Sequence, residues 1–310
     1  MRSAAAGALA GTDGILLLDK PAGITSAHAV AIVKKVLRGA KVGHLGTLDP
    51  FASGLLPLCL GEGTKIAPYL NVADKTYVGT VKLGVRTDTL DCTGEVVGRS
   101  DVPPLDGIDW RALAAEFTGT IEQVPPAFSA IKRDGVRMYE LARRGEAPEL
   151  EPRSVTIHEL KIEPLDAECI KLTVACSKGT YIRSLARDIG DRIGCGGALA
   201  TLVRTRFGSF DLAEALPLAR LQAEDGASVA AQAILSPCEA LGHLRVLAAD
   251  RATTARLRAG QQAALATLDR PAVAGEKARV IGPDGALVAV VGDEGGWRIE
   301  RVFNTKPCAL

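Results

Sequence analysis

The chain has 310 residues, of which 47% are hydrophobic and 24% are charged, and these proportions are ordinary for a folded globular protein. Its length fits one large domain followed by a small one, and no run of about 18 apolar residues is present that would cross a membrane. The formal net charge of +1 says nothing by itself about nucleic acid.

The cysteines and histidines exclude several kinds of site. The seven cysteines form no C-x-x-C pair, which argues against a disulfide framework and against a zinc site, and the four histidines are scattered. We therefore expect no metal site and a cytoplasmic location with reduced cysteines. Residues 1–12 are predicted to be a flexible tail rather than a signal peptide.

The first half of the chain begins with a short apolar run over 14–19, which predicts a buried strand closed by a turn. A helix is predicted over 27–37, capped by Thr25 or Ser26. Residues 40–63 contain five glycines and two prolines and are predicted to form a loop with little regular structure. Alternation of side chains over 76–83 predicts a strand.

The remainder of the chain alternates strands and helices up to about residue 242. Helices are predicted over 110–117, 136–144, 181–193, 218–223 and 229–235, and strands over 119–124, 127–132, 154–162, 169–177 and 199–207. Beyond this point, short strand-like runs at 278–282 and 286–291 are separated by glycine-rich turns. The pattern indicates a domain over 13–243 and a small β-rich domain over 244–310.

Two stretches carry an excess of positive charge. Residues 177–206 contain six basic and two acidic side chains, and residues 132–144 contain five basic and two acidic side chains. Such patches suit a polyanion, but solvated helix faces have the same composition, and the charge pattern alone leaves both interpretations open.

Asp49 is the carboxylate whose surroundings indicate chemistry. It lies in a glycine-rich loop before Pro50, with several apolar neighbours. A carboxylate that acts as a nucleophile must remain ionised, so a catalytic Asp49 requires a cation from elsewhere in the chain. The alternative is an ordinary Asp-Pro turn, and spacing alone does not decide between them. The nearby run 61–65 does not satisfy the phosphate-loop pattern.

Several segments, in order, resemble the TruB family of pseudouridine synthases. The decisive one is GHLGTLDPFASGLL at 43–56, and the resemblance spans roughly residues 14–210. The other segments are LDKPAGITS at 18–26, KTY at 75–77, RTDTLD at 86–91, QVPP at 123–126 with SAIK at 129–132, YELAR at 139–143, SKGTYIRSL at 177–185, and Leu202 with Arg204 and Thr205.

The resemblance implies the fold and the reaction. The expected fold class is α/β, the pseudouridine-synthase fold, with a mixed, largely antiparallel central sheet, flanking helices and a small β-rich domain of PUA type at the C-terminus. The expected reaction isomerises uridine 55 in the T-loop of tRNA without cofactor, metal or guide RNA. A monomer that binds the T-arm stem-loop is expected.

The resemblance also implies site residues. Asp49, Arg183 and Tyr77 correspond to the catalytic residues, with Arg183 as the partner of the aspartate and Tyr77 stacked on the uracil. His44 corresponds to the side chain that replaces the displaced base. The further residues expected to bind RNA are Tyr181, Leu202, Lys20, Lys132, Arg143 and Arg144, and the segment of about 128–152 is expected to clamp the T-loop.

Three positions depart from the family pattern, namely Phe128, Ala198 and Val203, and none of them is a catalytic position. Two other functions remain open at this stage. A binding protein that helps tRNA to fold would need no chemistry, and a guide-dependent enzyme would modify other RNA. The intact set of Asp49, Tyr77 and Arg183 favours an enzyme, although a folding role can accompany it.

Overall fold

The computed structural model describes residues 13–38, 40–128 and 150–304, together with the backbone of 132–133 and 136–137. The chain divides into two compact units. The sheet unit comprises residues 49–55 and the described part of 72–213, and the terminal unit comprises the described parts of 1–48, 56–71 and 214–310. The sheet unit contains Asp49, Tyr77 and Arg183.

The described residues form nineteen strands and eight α-helices. The strands are β1 (Gly14–Lys20), β2 (Val42–His44), β3 (Ser53–Leu60), β4 (Lys75–Leu83), β5 (Val85–Thr87), β6 (Val96–Arg99), β7 (Gly119–Gln123), β8 (Lys132–Arg133), β9 (Val136–Arg137), β10 (Arg153–Pro164), β11 (Cys169–Cys176), β12 (Gly197–Phe207), β13 (Phe210–Asp211), β14 (Leu216–Pro217), β15 (Ile234–Leu235), β16 (Arg245–Ala248), β17 (Lys277–Ile281), β18 (Leu287–Asp293) and β19 (Trp297–Val302). The helices are α1 (Ser26–Val36), α2 (Ala67–Leu70), α3 (Trp110–Glu116), α4 (Ile182–Ile193), α5 (Leu218–Leu221), α6 (Gly226–Ala233), α7 (Pro237–Ala240) and α8 (Arg251–Arg258).

The sheet unit is built around β4, which pairs antiparallel with β12 on one side and with β11 on the other. Strands β10 and β7 continue the antiparallel order beyond β11. The first residues of β3 run parallel to β12, with Ser53 opposite Val203, so the sheet is mixed. Buried and partly buried residues alternate along β11, as expected for a strand whose two faces differ in exposure.

Helix α4 packs on this sheet and carries Arg183 in its first turn. Its buried side includes Ile182, Leu185 and Ile189, which recur at helical spacing. The helix ends at Gly194, whose φ of 99° is left-handed and therefore favours glycine. The sequence pattern thus determines both the extent of α4 and the side that faces the sheet.

The terminal unit contains two groups of strands. In the first, β1 pairs with β14 and β15, and β2 pairs antiparallel with β3. Thr25 caps helix α1, as one of the two predicted capping residues, and its hydroxyl accepts a hydrogen bond from the His28 amide at 3.0 Å. In the second, β16, β17, β18 and β19 form a separate four-stranded sheet with its own core, which includes Leu247, Leu257, Leu265, Val280, Val291 and Trp297.

The predicted loop over 40–63 is wrong in its second half. Strand β3 occupies 53–60, and every residue from Gly54 to Leu60 is buried. A strand covered on both faces shows no alternation, and Gly54 and Pro57 were counted as loop residues. Strand β2 adds three further residues of regular structure.

Three smaller predictions need correction. Ala127 and Phe128 lie outside any strand, and residues 129–131 fall outside the described residues. The helix predicted over 136–144 begins instead with β9, which pairs with β8 across an Asp-Gly sequence typical of hairpin turns, and 138–144 are not described. The last predicted helix starts earlier, at Gly226, and its final two residues form β15, because pairing with β1 overrides helical spacing there.

The architecture agrees with the expected fold class: a mixed, largely antiparallel sheet with helices, and a β-rich sheet near the C-terminus. The domain boundary at 243/244 stays a prediction, as does the tail over 1–12, which lies outside the described residues. Among the residues that the structure describes, no helix is long and apolar enough to cross a membrane.

Candidate active site

Asp49 lies in the loop that leads into β3. Its carbonyl oxygen accepts a hydrogen bond from the Ala52 amide at 3.1 Å, which closes a turn. The Asp49 side chain is 35% exposed, so its carboxylate is open to a ligand while the loop backbone is held. Asp49 is therefore both a turn residue and an accessible carboxylate, and the two interpretations of the sequence do not exclude each other.

Arg183 contacts this carboxylate through two of its nitrogens. Nε lies 2.9 Å from Oδ2 of Asp49, and a terminal guanidinium nitrogen donates to Oδ1 at 3.2 Å. The predicted pairing of Asp49 with Arg183 is thus confirmed as a contact. A bidentate guanidinium favours the ionised carboxylate and fixes its plane, which are the two conditions for a positioned nucleophile.

The guanidinium of Arg183 is itself fixed by the surrounding backbone. It donates to the carbonyl oxygens of Thr89 and Phe128, each at 2.9 Å, and lies 3.6 Å from Oδ2 of Asp91. The side chains of Arg183 and Asp91 are 6% and 5% exposed. Two carboxylates therefore share one buried cation, and only Asp49 is accessible.

Tyr77 projects from β4, where it lies opposite Arg204 of β12 and Val174 of β11. Withdrawal from water raises the pKa of the Tyr77 hydroxyl above its usual value, and the charge of Asp49 adds to this shift. The charge of Arg204 and a hydrogen bond that its guanidinium donates to the hydroxyl act in the opposite direction. Tyr77 thus lies within the electrostatic reach of both Asp49 and Arg204.

Tyr181 and Leu202 belong to the same unit. Tyr181 precedes α4, and its backbone is held by Gln123, whose side chain accepts from the Tyr181 amide at 2.8 Å and donates to its carbonyl at 3.1 Å. Leu202 is buried and lies opposite Gly79 in the register that also pairs Arg204 with Tyr77. Directly paired residues share a face of a sheet, so Leu202, Arg204 and Tyr77 lie on one face.

The other predicted RNA-binding residues lie in the terminal unit or outside the described residues. Lys20 is fully buried, and its ammonium donates to the carbonyls of Pro21 and Ile24 at 2.9 and 2.8 Å, which favours a structural role in that turn. His44 lies in β2 of the terminal unit, opposite Leu58. The side chain of Lys132 and the whole of Arg143 and Arg144 lie outside the described residues.

The sequence interpretation assigned no role to Asp91, Gln123 and Arg204, although each falls in a segment that carries the resemblance. A charged or amide side chain that is almost fully buried is unusual, and burial is the signal that distinguishes these three. Burial of a single polar residue cannot be read from periodicity.

Comparison with known proteins identifies the family of this chain. Residues 34–182 match the TruB family pseudouridylate synthase N-terminal domain, and residues 183–241 match the tRNA pseudouridylate synthase B C-terminal domain. The tRNA pseudouridine synthase B of Geobacter sulfurreducens is 42% identical over 94% of this chain and all of its own length. The chain belongs to the TruB family.

Other TruB-family proteins show similar likeness. The tRNA pseudouridine synthase B of Cupriavidus metallidurans is 44% identical over 94% of both chains, and that of Aromatoleum aromaticum is 49% identical over 75% of both. Membership of the TruB family identifies this chain as an isomerase of the pseudouridine synthase class.

Solved structures confirm the expected pseudouridine-synthase fold. A chain of an H/ACA ribonucleoprotein bound to a substrate RNA containing 2′-deoxyuridine superposes with a TM-score of 0.70 at 25% identity, covering 94% of this chain and 84% of that one. A chain of a Cbf5–Nop10–Gar1 complex superposes with a TM-score of 0.69 at 27% identity, covering 94% and 85%.

Proposed function

We propose that this TruB-family enzyme converts uridine 55 in the T-loop of tRNA into pseudouridine. Its relatives are named tRNA pseudouridine synthase B, and that name together with family membership supports tRNA as the substrate. The observation that carries the proposal within the molecule is the accessible Asp49 carboxylate held by two contacts from the buried Arg183.

The reaction exchanges one bond to the ribose for another. The bond between C1′ and N1 breaks, the uracil rotates, a bond forms between C1′ and C5, the proton leaves C5, and N1 gains a proton. The target base must first leave its stack, at a cost of about a few kcal/mol. The enzyme therefore needs a group beside C1′, a surface for the free uracil and an acceptor for the C5 proton.

The candidate residues meet these needs in the following way. Asp49 acts beside the ribose, either by attack on C1′ or by promoting a glycal intermediate, and its contacts with Arg183 keep it ionised and oriented. Tyr77 stacks on the uracil and accepts the C5 proton, while Tyr181 and Leu202 line the base pocket. His44 replaces the flipped base in the T-loop.

The proposed partner is the T-arm alone, bound by a monomer without guide RNA, metal or cofactor. A synthetic T-arm stem-loop incubated with the purified enzyme in a chelating buffer tests this directly. We expect pseudouridine to form on this stem-loop at a rate within about tenfold of the rate on full-length tRNA. A requirement for a second RNA or for added metal would contradict this part of the proposal.

Substitution of Asp49 tests the function itself. We expect Asp49→Asn to lower single-turnover formation of pseudouridine on unmodified tRNA transcript by at least about a thousandfold, because the neutral amide is not a nucleophile. The Kd for tRNA should change less than about threefold, and any contribution to tRNA folding should persist. Asp106→Asn, an exposed control, should be fully active. Normal turnover by Asp49→Asn would refute the assignment.

A further inference from the structure

Arg204 is a buried cation next to Tyr77 of the candidate site. It is 1% exposed and is among the largest fully buried side chains of the described residues. Its Nε donates to the carbonyl oxygen of Leu55 at 2.7 Å, and its guanidinium carbon lies 5.3 Å from the centroid of the Phe207 ring. Loss of hydration destabilises a guanidinium, so interactions with neighbouring groups must compensate for its burial.

The contacts of Arg204 join two parts of the site. On one side of β12, Arg204 lies opposite Gly54, and the approach is so close that a Cβ on Gly54 would lie 2.4 Å from the Arg204 carbonyl oxygen. On the other side it lies opposite Tyr77 of β4, and its guanidinium donates to the Tyr77 hydroxyl. One side chain thus links the start of β3, directly after the Asp49 loop, with the tyrosine.

We propose that Arg204 is a positioning residue for the isomerisation, which holds the Tyr77 oxygen at a set place relative to the Asp49 loop and supplies the positive charge next to it. This inference rests on the proposed function, since it assigns Tyr77 the C5 proton. Arg204 itself touches neither base nor ribose in this scheme, because it is almost fully buried.

The proton transfer explains why a cation is needed there. When C5 has bonded to C1′, the C5–H bond breaks, its electron pair returns to the ring, and the proton goes to the Tyr77 oxygen, which must be a phenolate to accept it. Burial and the Asp49 charge both raise the pKa of Tyr77 and so reduce the phenolate population. The Arg204 guanidinium opposes both effects.

Two further titratable groups lie near Arg204 and Tyr77. Burial raises the pKa of the Cys176 thiol to about 11, so this group stays neutral at ordinary pH. Burial, assisted by the Arg204 charge, lowers the pKa of the Lys75 ammonium to about 8, which falls within the range of an activity profile. Every profile should therefore also be recorded in a Lys75→Met background, so that the titration of Lys75 is not assigned to Tyr77.

The experiment compares Arg204→Met and Arg204→Lys with the control Arg206→Met, which removes an exposed arginine two residues further along the same strand. Single-turnover rates on tRNA transcript are measured from pH 6 to pH 9. The Tyr77 environment is followed by fluorine NMR of 3-fluorotyrosine-labelled enzyme, in which the Tyr77 signal is assigned by its loss in Tyr77→Phe.

We expect Arg204→Met to lose about 10- to 100-fold in rate throughout pH 6 to pH 9, because the pKa of Tyr77 lies above this range and removal of the cation lowers the phenolate fraction by the same factor at each pH. Arg204→Lys, which retains the charge, should lose less. The Kd for tRNA should stay within about threefold, and the Tyr77 fluorine signal should shift while Arg206→Met leaves it unchanged. If Arg204→Met does not fold, the shift of the Tyr77 fluorine signal in Arg204→Lys carries the test, since lysine retains the charge but not the planar guanidinium that positions the tyrosine.

Three results would overturn the inference: an unchanged rate in Arg204→Met, an equal loss of rate in Arg204→Met and Arg204→Lys, or an unshifted Tyr77 signal. The NMR measurement needs no turnover, so it separates this inference from the proposed function. An active Asp49→Asn would remove the proposed function but leave the contact between Arg204 and Tyr77 to be judged by the fluorine signal alone.

Discussion

At the scale of single residues, the candidate site depends on Arg183 and on the Asp49 carboxylate that it contacts. Arg183 uses its guanidinium for Asp49 and for two backbone carbonyls at once, with Asp91 as a further neighbour. Its five donors in a rigid plane make this possible. Asp49 consequently keeps its orientation although its own side chain is partly exposed.

Replacement of Arg183 by lysine tests that geometry. We expect Arg183→Lys to lower the rate of pseudouridine formation by about 100- to 1,000-fold, because an ammonium cannot reproduce a bidentate contact together with the backbone bonds. Quench-flow or single-turnover assays measure the loss. Arg187→Lys, one turn further along α4, should stay within about threefold of the original rate. Wild-type activity in Arg183→Lys would show that the bidentate contact of the guanidinium with Asp49 is not required.

Lys75 provides a prediction about stability. Burial lowers the pKa of its ammonium to about 8, whereas the unfolded chain holds the proton up to about 10.5. Between these values the unfolded state binds more protons, so the free energy of unfolding rises with pH. Relative to Lys75→Met, the original protein should gain about 3 kcal/mol between pH 8 and pH 10.5.

Urea denaturation of both proteins at pH 7.5, 9 and 10.5 measures this difference. The exposed fraction of Lys75 is only 8%, so solvent screening reduces the effect little. Lys171→Met, on the neighbouring strand β11 and more exposed, serves as the control and should show no comparable slope. A difference between Lys75→Met and the original protein that is independent of pH would contradict the proposed burial of the ammonium.

At the scale of elements, the position of Arg183 depends on how closely α4 approaches β12. Gly190 makes this approach possible, because a Cβ there would lie 2.3 Å from the backbone carbon of Gly196 and from the amide nitrogen of Gly197. Backbone atoms cannot move aside as a flexible side chain would. The missing Cβ, rather than conformational freedom, is the reason for glycine at this position.

We expect Gly190→Ala to displace α4 and to lower the free energy of unfolding by about 2–4 kcal/mol, despite the better helix propensity of alanine. The rate of pseudouridine formation should fall as well, because Arg183 moves with its helix. Thermal and urea unfolding measure the first effect. Gly107→Ala has open space at its Cβ and should change stability by less than about 0.5 kcal/mol.

Prediction of the elements succeeded for most strands of the sheet unit and for the apolar run that forms β1, but it failed for β3. Strands β4 and β11 and helix α4 were found because their exposure alternates with the period of the element. Strand β3 was missed because all but its first residue is buried, which leaves a plain apolar run containing a proline. The element that follows Asp49 directly was therefore the one that periodicity could not identify.

At the scale of the whole molecule, charge is distributed unevenly although the net charge is only +1. If the basic stretches at 132–144 and 177–206 bind the T-arm backbone, the affinity should fall with salt. Neutralisation of Arg143, Arg144 or Lys178 should each weaken binding and reduce the slope of log K against log salt by about one unit or less. Filter binding between 50 and 300 mM salt measures the slopes, and unchanged slopes would identify these residues as a solvated surface.

The division into compact units also differs from the division that composition suggests. The sequence pattern changes near residue 242, where short strand-like runs and glycine-rich turns begin. The terminal unit nevertheless combines described residues from both sides of that point. Within it, the ammonium of Lys277 lies 5.3 Å from the centroid of the Tyr69 ring, more than 200 positions apart in the chain. Such long-range contacts leave no trace in local composition.

The sequence by itself determined the family and the reaction class and made Asp49, Tyr77 and Arg183 the candidate catalytic residues, because these depend on residue types in ordered local segments. It also required a cation for Asp49, since an ionised carboxylate in a partly apolar loop needs one. Only the tertiary structure decided that Arg183 contacts Asp49 through two nitrogens, that Lys20 is buried, and that Arg204 is buried opposite Tyr77. Those facts depend on burial and on pairing between distant strands, which chain order does not encode locally.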